Sequence, residues 1–417
     1  MIHVSNIRKE SADGWTRLVA DFTYQGGGGL PSLEPAIWLA VKDENAHMLV
    51  DDVYDGFVLV PLYLAMYLKE DLHIHGNMSK RLYRNVMNYL QRILCDFSPD
   101  LSRVNVSVDG FAEAAGNQSV IGTGISCGVD SLTTIYDRYV NETDPDYRVN
   151  GLFLFNCGTH GNYGAKSSGL WQARYELNKR CADELDLPVY QVDSNFHAFT
   201  HLAGPDPKAG YLAIWSCVLG LGRAVRRYYV SSAYSYVQML KFGLMKRDSD
   251  FSEFSESYSV PLISTERTEL IPDGCQYERS QKTERIASWD IARKYLNVCV
   301  NPDSEGHNCS RCHKCMTTLT ALDALGKLGD FAGVFSLSTY RKHVFRHLCQ
   351  RVTGSFFMWD NDPSLGDFLT QHGLKLPSYP VAWLYLLPLR TFSLIKKAAR
   401  KILGETLTAK LKRHHSS

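Results

Sequence analysis

The stretch VIGTGISCGVDSLTTIYDRYV, Val120–Val140, decides how the chain is read. A short apolar run leads into a loop rich in glycine and hydroxyl residues. A helical segment follows, with Leu132, Ile135, Tyr136 and Tyr139 on one stripe. A turn joining a strand to a helix presents the first-turn amides of that helix, which can bind an anion. Gly122, Gly124 and Gly128 let the main chain come close to a phosphate. Ser126 and Ser131 add hydroxyls, and Asp130 is placed either to bind Mg²⁺ or to orient the loop. A Walker A loop would end in Gly-Lys-Ser/Thr. Here Gly128-Val129-Asp130-Ser131 stands instead, which disfavours a P-loop NTPase.

Outward from this loop the chain keeps a strand, loop, helix rhythm. VNGLFLFN, LWQARYELNKRCADELDLP, VYQVDSN, the apolar helix 209–223 and YYVSSAYSY continue it to about residue 236. Such alternation predicts an α/β fold with a parallel, doubly wound, Rossmann-like sheet, whose ligands bind at the carboxyl ends of the strands. Before it, TRLVADFTY and AIWLAVK read as strands flanking a four-glycine loop. SKRLYRNVMNYLQRILCDF reads as a helix with Leu82, Val86, Leu90 and Leu94 on one face, and RVNVSV as a further strand. The expected organisation is an N-terminal α+β module over 1–118, an ATP-binding domain with a cysteine site over 119–330, and a helical C-terminal extension over 331–417.

Composition narrows the class. A chain of 417 residues with 45% apolar content can bury a sizeable core, and a net charge of +1 gives no clear nucleic-acid surface. The first residues lack the apolar run of a secretory signal, and no segment has the length of a membrane helix. Eleven cysteines, an odd number scattered over the chain, fit a reducing compartment, so a cytoplasmic protein is expected. Cys299, Cys309, Cys312 and Cys315 form a C-x9-C-x2-C-x2-C array. That spacing predicts a tetrahedral structural Zn²⁺ site, with an iron–sulfur cluster as the competing occupant. His307 beside it reads as a bystander. In the tail, eight lysines and arginines between Arg390 and Arg413 interleave with apolar residues at helical spacing. Two readings stand: peripheral contact with an anionic membrane or acidic partner, or a helix packed on its own domain.

The loop resembles the Ser-Gly-Gly-x-Asp-Ser signature of the PP-loop ATP pyrophosphatase superfamily, the adenine nucleotide alpha hydrolases, through Ser126, Gly128, Asp130 and Ser131. Cys127 stands where that family has glycine, either as a tolerated small residue or as a reactive thiol. Together with the cysteine array, FNCGTHGNYG…RYEL and PLISTERTEL, residues 119–330 look most like the 7-cyano-7-deazaguanine synthase family. The resemblance implies that Gly124, Ser126, Cys127, Gly128, Val129, Asp130 and Ser131 grip the pyrophosphate of Mg²⁺·ATP, and that Asn156, Cys157 and Gly158 enclose the adenosine. Glu176 is a weaker match. Asp130, Ser131, Arg267 and Lys282 are the expected catalytic residues, with Arg279 as a further cation near the α-phosphate. The implied activity is an AMP- and pyrophosphate-forming ligase that adenylates a small carboxylate or amide and transfers nitrogen from ammonia or an amine. Rival readings are tRNA thiolation, amidotransfer onto a sugar or peptide, or a non-catalytic nucleotide-binding component of a modification or defence assembly. A protein partner for the N-terminal module and an oligomeric state are compatible with all of them.

Overall fold

The computed structural model describes residues 1–26, 34–112, 116, 118–158, 165–201, 210–245, 251–301, 304, 306–354 and 363–388. The basic tail from residue 389 onward, and His160, lie outside them. Ten strands are described: β1 (Ile2–Ala12), β2 (Trp15–Tyr24), β3 (Ala36–Lys42), β4 (Leu72–Ser79), β5 (Val106–Ala112), β6 (Val120–Gly124), β7 (Gly151–Asn156), β8 (Val189–Ser194), β9 (Val225–Ser231) and β10 (Glu269–Asp273). They form one sheet in the order β10-β9-β6-β7-β8-β3-β2-β1-β4-β5.

The half from β10 to β8 is parallel throughout. Numbered from β6, its order is 3-2-1-4-5, so the chain reverses its direction of travel across the sheet between β6 and β9. Loops leaving β6 and β9 therefore diverge to opposite faces and open a crevice at their carboxyl ends. β7 shows why these are inner strands: GLFLFN is apolar without alternation, and Gly151–Phe155 are all buried, as a strand covered on both faces requires. Gly122 belongs to this packing rather than to the loop. A Cβ there would lie 2.4 Å from the Phe153 ring.

The N-terminal segment is not a separate module. β3 pairs antiparallel with β8, Leu39 opposite Ser194 and Val41 opposite Val192. The sheet then continues through β2, β1, β4 and β5. One apolar cluster runs from Ile2 and Val4 through Leu39 and Leu64 to Phe153, Trp215 and Val225. The compact unit accordingly comprises Met1–Val298 with Pro302–His307, and no boundary falls near residue 118. The physical reason is edge pairing: β8 would leave a row of unpaired backbone groups at the sheet margin, and β3 takes them up. Leu82, Val86, Leu90 and Leu94 are buried as their spacing requires, on a helical run Lys80–Phe97 that contains a π turn at Val86–Leu90.

The second unit comprises Cys299–Asn301 and Asn308–Ser417. Its helices His313–Ala324, Leu337–Val352 and Pro363–Gln371 share a small core of Ala321, Leu348, Leu365, Phe368 and Leu369. The expected block 119–330 is thus divided at Val298, and all four array cysteines fall in the helical unit. No helix among the described residues is long and apolar enough to cross a membrane.

Candidate functional site

The loop Ile125–Gly128 leaves the carboxyl end of β6 at the crevice and enters the helix Val129–Ile135, which runs on through a π turn to Val140. The main chain is held on both sides. The Ile125 amide donates to the Phe153 carbonyl at 2.9 Å, and the Asn297 amide donates to the Cys127 carbonyl at 2.7 Å. Ser126 is exposed, and its Oγ lies 3.0 Å from Ser131 Oγ. The Ser131 hydroxyl also lies within 3.3 Å of the Ser126 amide and the Gly128 carbonyl, so one side chain ties the bend to the first helical turn.

Positive φ in this loop falls on Cys127, at 53°, and not on a glycine; Gly128, with φ −77° and ψ 167°, is the extended residue before the helix. Cys127 is fully buried, and its thiol points inward to Cys181 on the helix Ala165–Glu184. The hydrogen bond with Cys181 and burial both push the Cys127 thiol above its ordinary range. A buried protonated thiol is a poor nucleophile, so the reactive-thiol reading of Cys127 is not supported. Its side chain leaves the outer face of the loop clear.

Asp130 sits in the first helical turn and receives two cations. Arg279 binds Oδ2, and Lys282 Nζ lies 3.2 Å from Oδ1. Both come from the helix Arg279–Ile286, whose start is fixed by a capping box between Glu278 and Gln281. Lys282 is 1% exposed and also donates to the Ser232 carbonyl, just beyond β9. A buried ammonium is tolerable only with such partners. Asp130 is therefore a counter-ion in this arrangement rather than an open metal ligand.

Gly124 ends β6, where a Cβ would lie 3.1 Å from the buried Tyr228 hydroxyl. Asn156, Cys157 and Gly158 leave the neighbouring β7 at the same edge of the sheet. Asn156 donates to Asp193 at 3.0 Å, and Cys157 is buried with its sulfur 3.5 Å from Cys217. Gly158 has φ +93°, and the Cβ it lacks would lie 2.5 Å from His197 Cβ. Burial lowers the His197 pKa to about 4. Glu176 is exposed and pairs with Gln172.

Arg267 is the expectation that fails. It precedes β10, at the amino edge of the parallel strands, and its guanidinium forks onto Asp52 at 2.9 and 2.6 Å. It lies six positions before Asp273, which is in register with Ser231 at the carboxyl edge. At about 3.3 Å per residue this places Arg267 roughly 20 Å from the loop's edge of the sheet. The segment PLISTERTEL ends a helix and makes the turn at the amino edge, and the strand that follows it runs back toward the site. Ser232, Glu278 and Asn297 were not singled out from sequence, although Ser232 follows the second strand of the crevice, which was a usable signal.

In the helical unit, one ligand atom each from Cys299, Cys309, Cys312 and Cys315 lies within 4.8 Å of the others. The Sγ atoms of Cys299 and Cys312 are 3.9 Å apart, against about 3.8 Å for the edge of a tetrahedron with 2.3 Å metal–sulfur bonds. The amides of Asn301 and Cys309 point at Cys299 Sγ at 3.4 Å, and the Cys312 amide points at Cys309 Sγ at 3.3 Å. These donors stabilise thiolate sulfur. Ser310, buried with φ 55°, makes the tight knuckle turn. The hydrogen bond from Cys315 holds the Cys312 thiol below its ordinary range, and the same coupling pushes Cys315 up. The donor set fits a thiophilic metal. No family model, curated protein or solved structure matches the chain.

Proposed function

We propose that this chain is an ATP-dependent, AMP- and pyrophosphate-forming ligase of the PP-loop type, similar to 7-cyano-7-deazaguanine synthase in its central strands. The observation that carries the reading is the position of the Ser126–Ser131 bend. It lies at the crevice where the parallel order reverses, with two cations anchored beside it.

The loop's outer face receives the β- and γ-phosphates. The helix Val129–Ile135 starts at the end of this loop, where a first helical turn can take an anion, and the Ser126 hydroxyl stands at the surface beside it. Arg279, partly exposed, is the cation that reaches the α-phosphate and stabilises the charge growing on the leaving pyrophosphate. Lys282 is too deeply enclosed for that; it positions Asp130 and the Ser232 carbonyl. Because Asp130 is charge-paired, Mg²⁺ enters with the triphosphate rather than waiting on this carboxylate. Asn156–Gly158 form the adenosine side. A substrate carboxylate or amide oxygen attacks the α-phosphorus, pyrophosphate departs, and ammonia or an amine then displaces AMP from the acyl adenylate. In the helical unit the four cysteines hold a structural Zn²⁺, which takes no part in this chemistry.

Burial of Cys127 and Cys157 counts against tRNA thiolation, which needs an accessible sulfur-carrying cysteine beside the loop. The test is ATP–pyrophosphate exchange with a panel of small carboxylic acids, alongside mass spectrometry of the nucleotide product. Acid-dependent exchange with AMP formation supports the reading. ADP formation, or nucleotide binding without exchange across the panel, overturns it.

A further inference from the structure

We propose that His3, His73, His75 and Asp109 form a second metal site, suited to Zn²⁺ or a similar first-row dication, on the solvent face of β1, β4 and β5. The strand register gathers these residues. His3 stands opposite His73, and His73 opposite Ser107, while the alternate residues Ile2, Val4, Leu72, Ile74 and Val106 are buried on the other face. A 3–4 residue stretch of each strand thus places its polar side chains together with period two. Between Ile74 and Asn77 the β4–β5 register shifts, so His75 lies within an irregularity of the kind that re-aims a side chain.

The donor atoms converge. One ligand atom each from His73, His75 and Asp109 lies within 4.8 Å of the others. His73 Nε2 is 3.0 Å from Asp109 Oδ1, and His3 Nδ1 is 3.0 Å from His75 Nε2. Ligands at about 2.0–2.1 Å from a tetrahedral Zn²⁺ stand about 3.3 Å apart, so only small adjustments admit an ion. Ser107 Oγ contacts the other nitrogen of His73 at 2.7 Å, which fixes the ring and leaves Nε2 for the metal. His3, joined to His75, either supports that ring in the same way or supplies a fourth ligand. Imidazole and carboxylate suit a borderline cation, and the exposure of His75 and Asp109 leaves room for water in the remaining positions. The site is independent of the loop and of the four cysteines, and nothing in the ligase reading requires it.

The experiment strips the full-length protein of metal, reloads it with Zn²⁺ alone and removes excess, then counts bound zinc by mass spectrometry. The wild type is expected to hold two equivalents. His75→Ala and His73→Gln should each hold one, and Cys315→Ser should keep the equivalent on the strands. Ser107→Ala should retain the site with about 10- to 100-fold weaker affinity. His47→Ala, an exposed histidine elsewhere, should change nothing. Circular dichroism checks that the His73, His75 and Ser107 variants are folded; these side chains are exposed or half-buried, so folding should persist. A single wild-type equivalent that Cys315→Ser abolishes, or no loss of zinc in both histidine variants, overturns the proposal. So does loss of zinc in His47→Ala equal to that in His75→Ala.

Discussion

Cys127 offers the sharpest test of the loop, because its backbone conformation and its side chain make opposite demands. At φ 53° a non-glycine residue costs about 1–2 kcal/mol. Replacing it by glycine removes that cost. It also gives up the burial of Cβ and Sγ, about 1.5–2 kcal/mol at roughly 0.8 kcal/mol per buried group. The freer unfolded chain costs a further ~0.5–1 kcal/mol. The sum is a loss of about 1 kcal/mol. Cys127→Ala keeps the backbone cost and loses the sulfur with some cavity, again about 1–1.5 kcal/mol. Glycine and alanine should therefore be nearly equal. Cys127→Val places a β-branched residue at positive φ and crowds Cys181, for a loss of about 3 kcal/mol. Urea unfolding at unchanged slope measures all three, and ATP–pyrophosphate exchange should survive in the glycine variant and fail in valine. In a loop of ordinary negative φ, glycine would be worse than alanine by about 1.5 kcal/mol. That ordering, or a valine variant as stable as the wild type, would refute the conformation and the clear outer face argued from it.

Lys282→Met should abolish exchange, whereas Arg267→Ala should leave the turnover within about twofold. Because Asp52 is half exposed, the Arg267 substitution should cost only about 1–2 kcal/mol of stability, read by thermal melting. Burial raises the Asp55 carboxyl to about 6 in the folded protein, against an ordinary 3.8, although the Ser79 amide donates to it at 2.8 Å. A raised pKa means that the folded state binds the proton more tightly. The contribution is present below pH 4 and lost as pH rises through 6, about 3 kcal/mol in all. Asp55→Asn should remove that fall when urea midpoints are compared between pH 4 and 7. His197 has the opposite sign: its depressed pKa gives a contribution present above 6.5 that is lost as pH falls toward 4, and His197→Gln should abolish that acid-side loss. Cys315→Ser should release one zinc and unfold the small helical core around Leu348 and Phe368, seen as lost helical circular dichroism, and chelation should have the same effect on that core.

Local pattern was sufficient for the strands that carry the loop. VIGTG, GLFLFN and AIWLAVK are apolar, β-rich and bounded by breakers, and each became a strand close to its expected limits. β1, β4 and β10 went unread: IHVSNIRKESA and LHIHGNMS are mostly polar on one face, and ELIPD contains a proline. Their strand character comes from neighbours that supply hydrogen bonds, which no short window contains.

The sequence by itself determined the strand–loop–helix unit at Val120–Val140 and the cysteine array, since both depend on residues close along the chain. Only the tertiary structure decided which cation meets Asp130. Arg267 and Lys282 are 15 positions apart and equally plausible on paper. The five residues of β10 carry the chain from one edge of the sheet to the other between them. It likewise joined β3 to β8, merging the N-terminal strands into the same sheet, and set His3 beside His73 and His75. Contacts between distant segments are fixed by which faces bury and which edges pair, and those are properties of the assembled sheet rather than of any stretch within it.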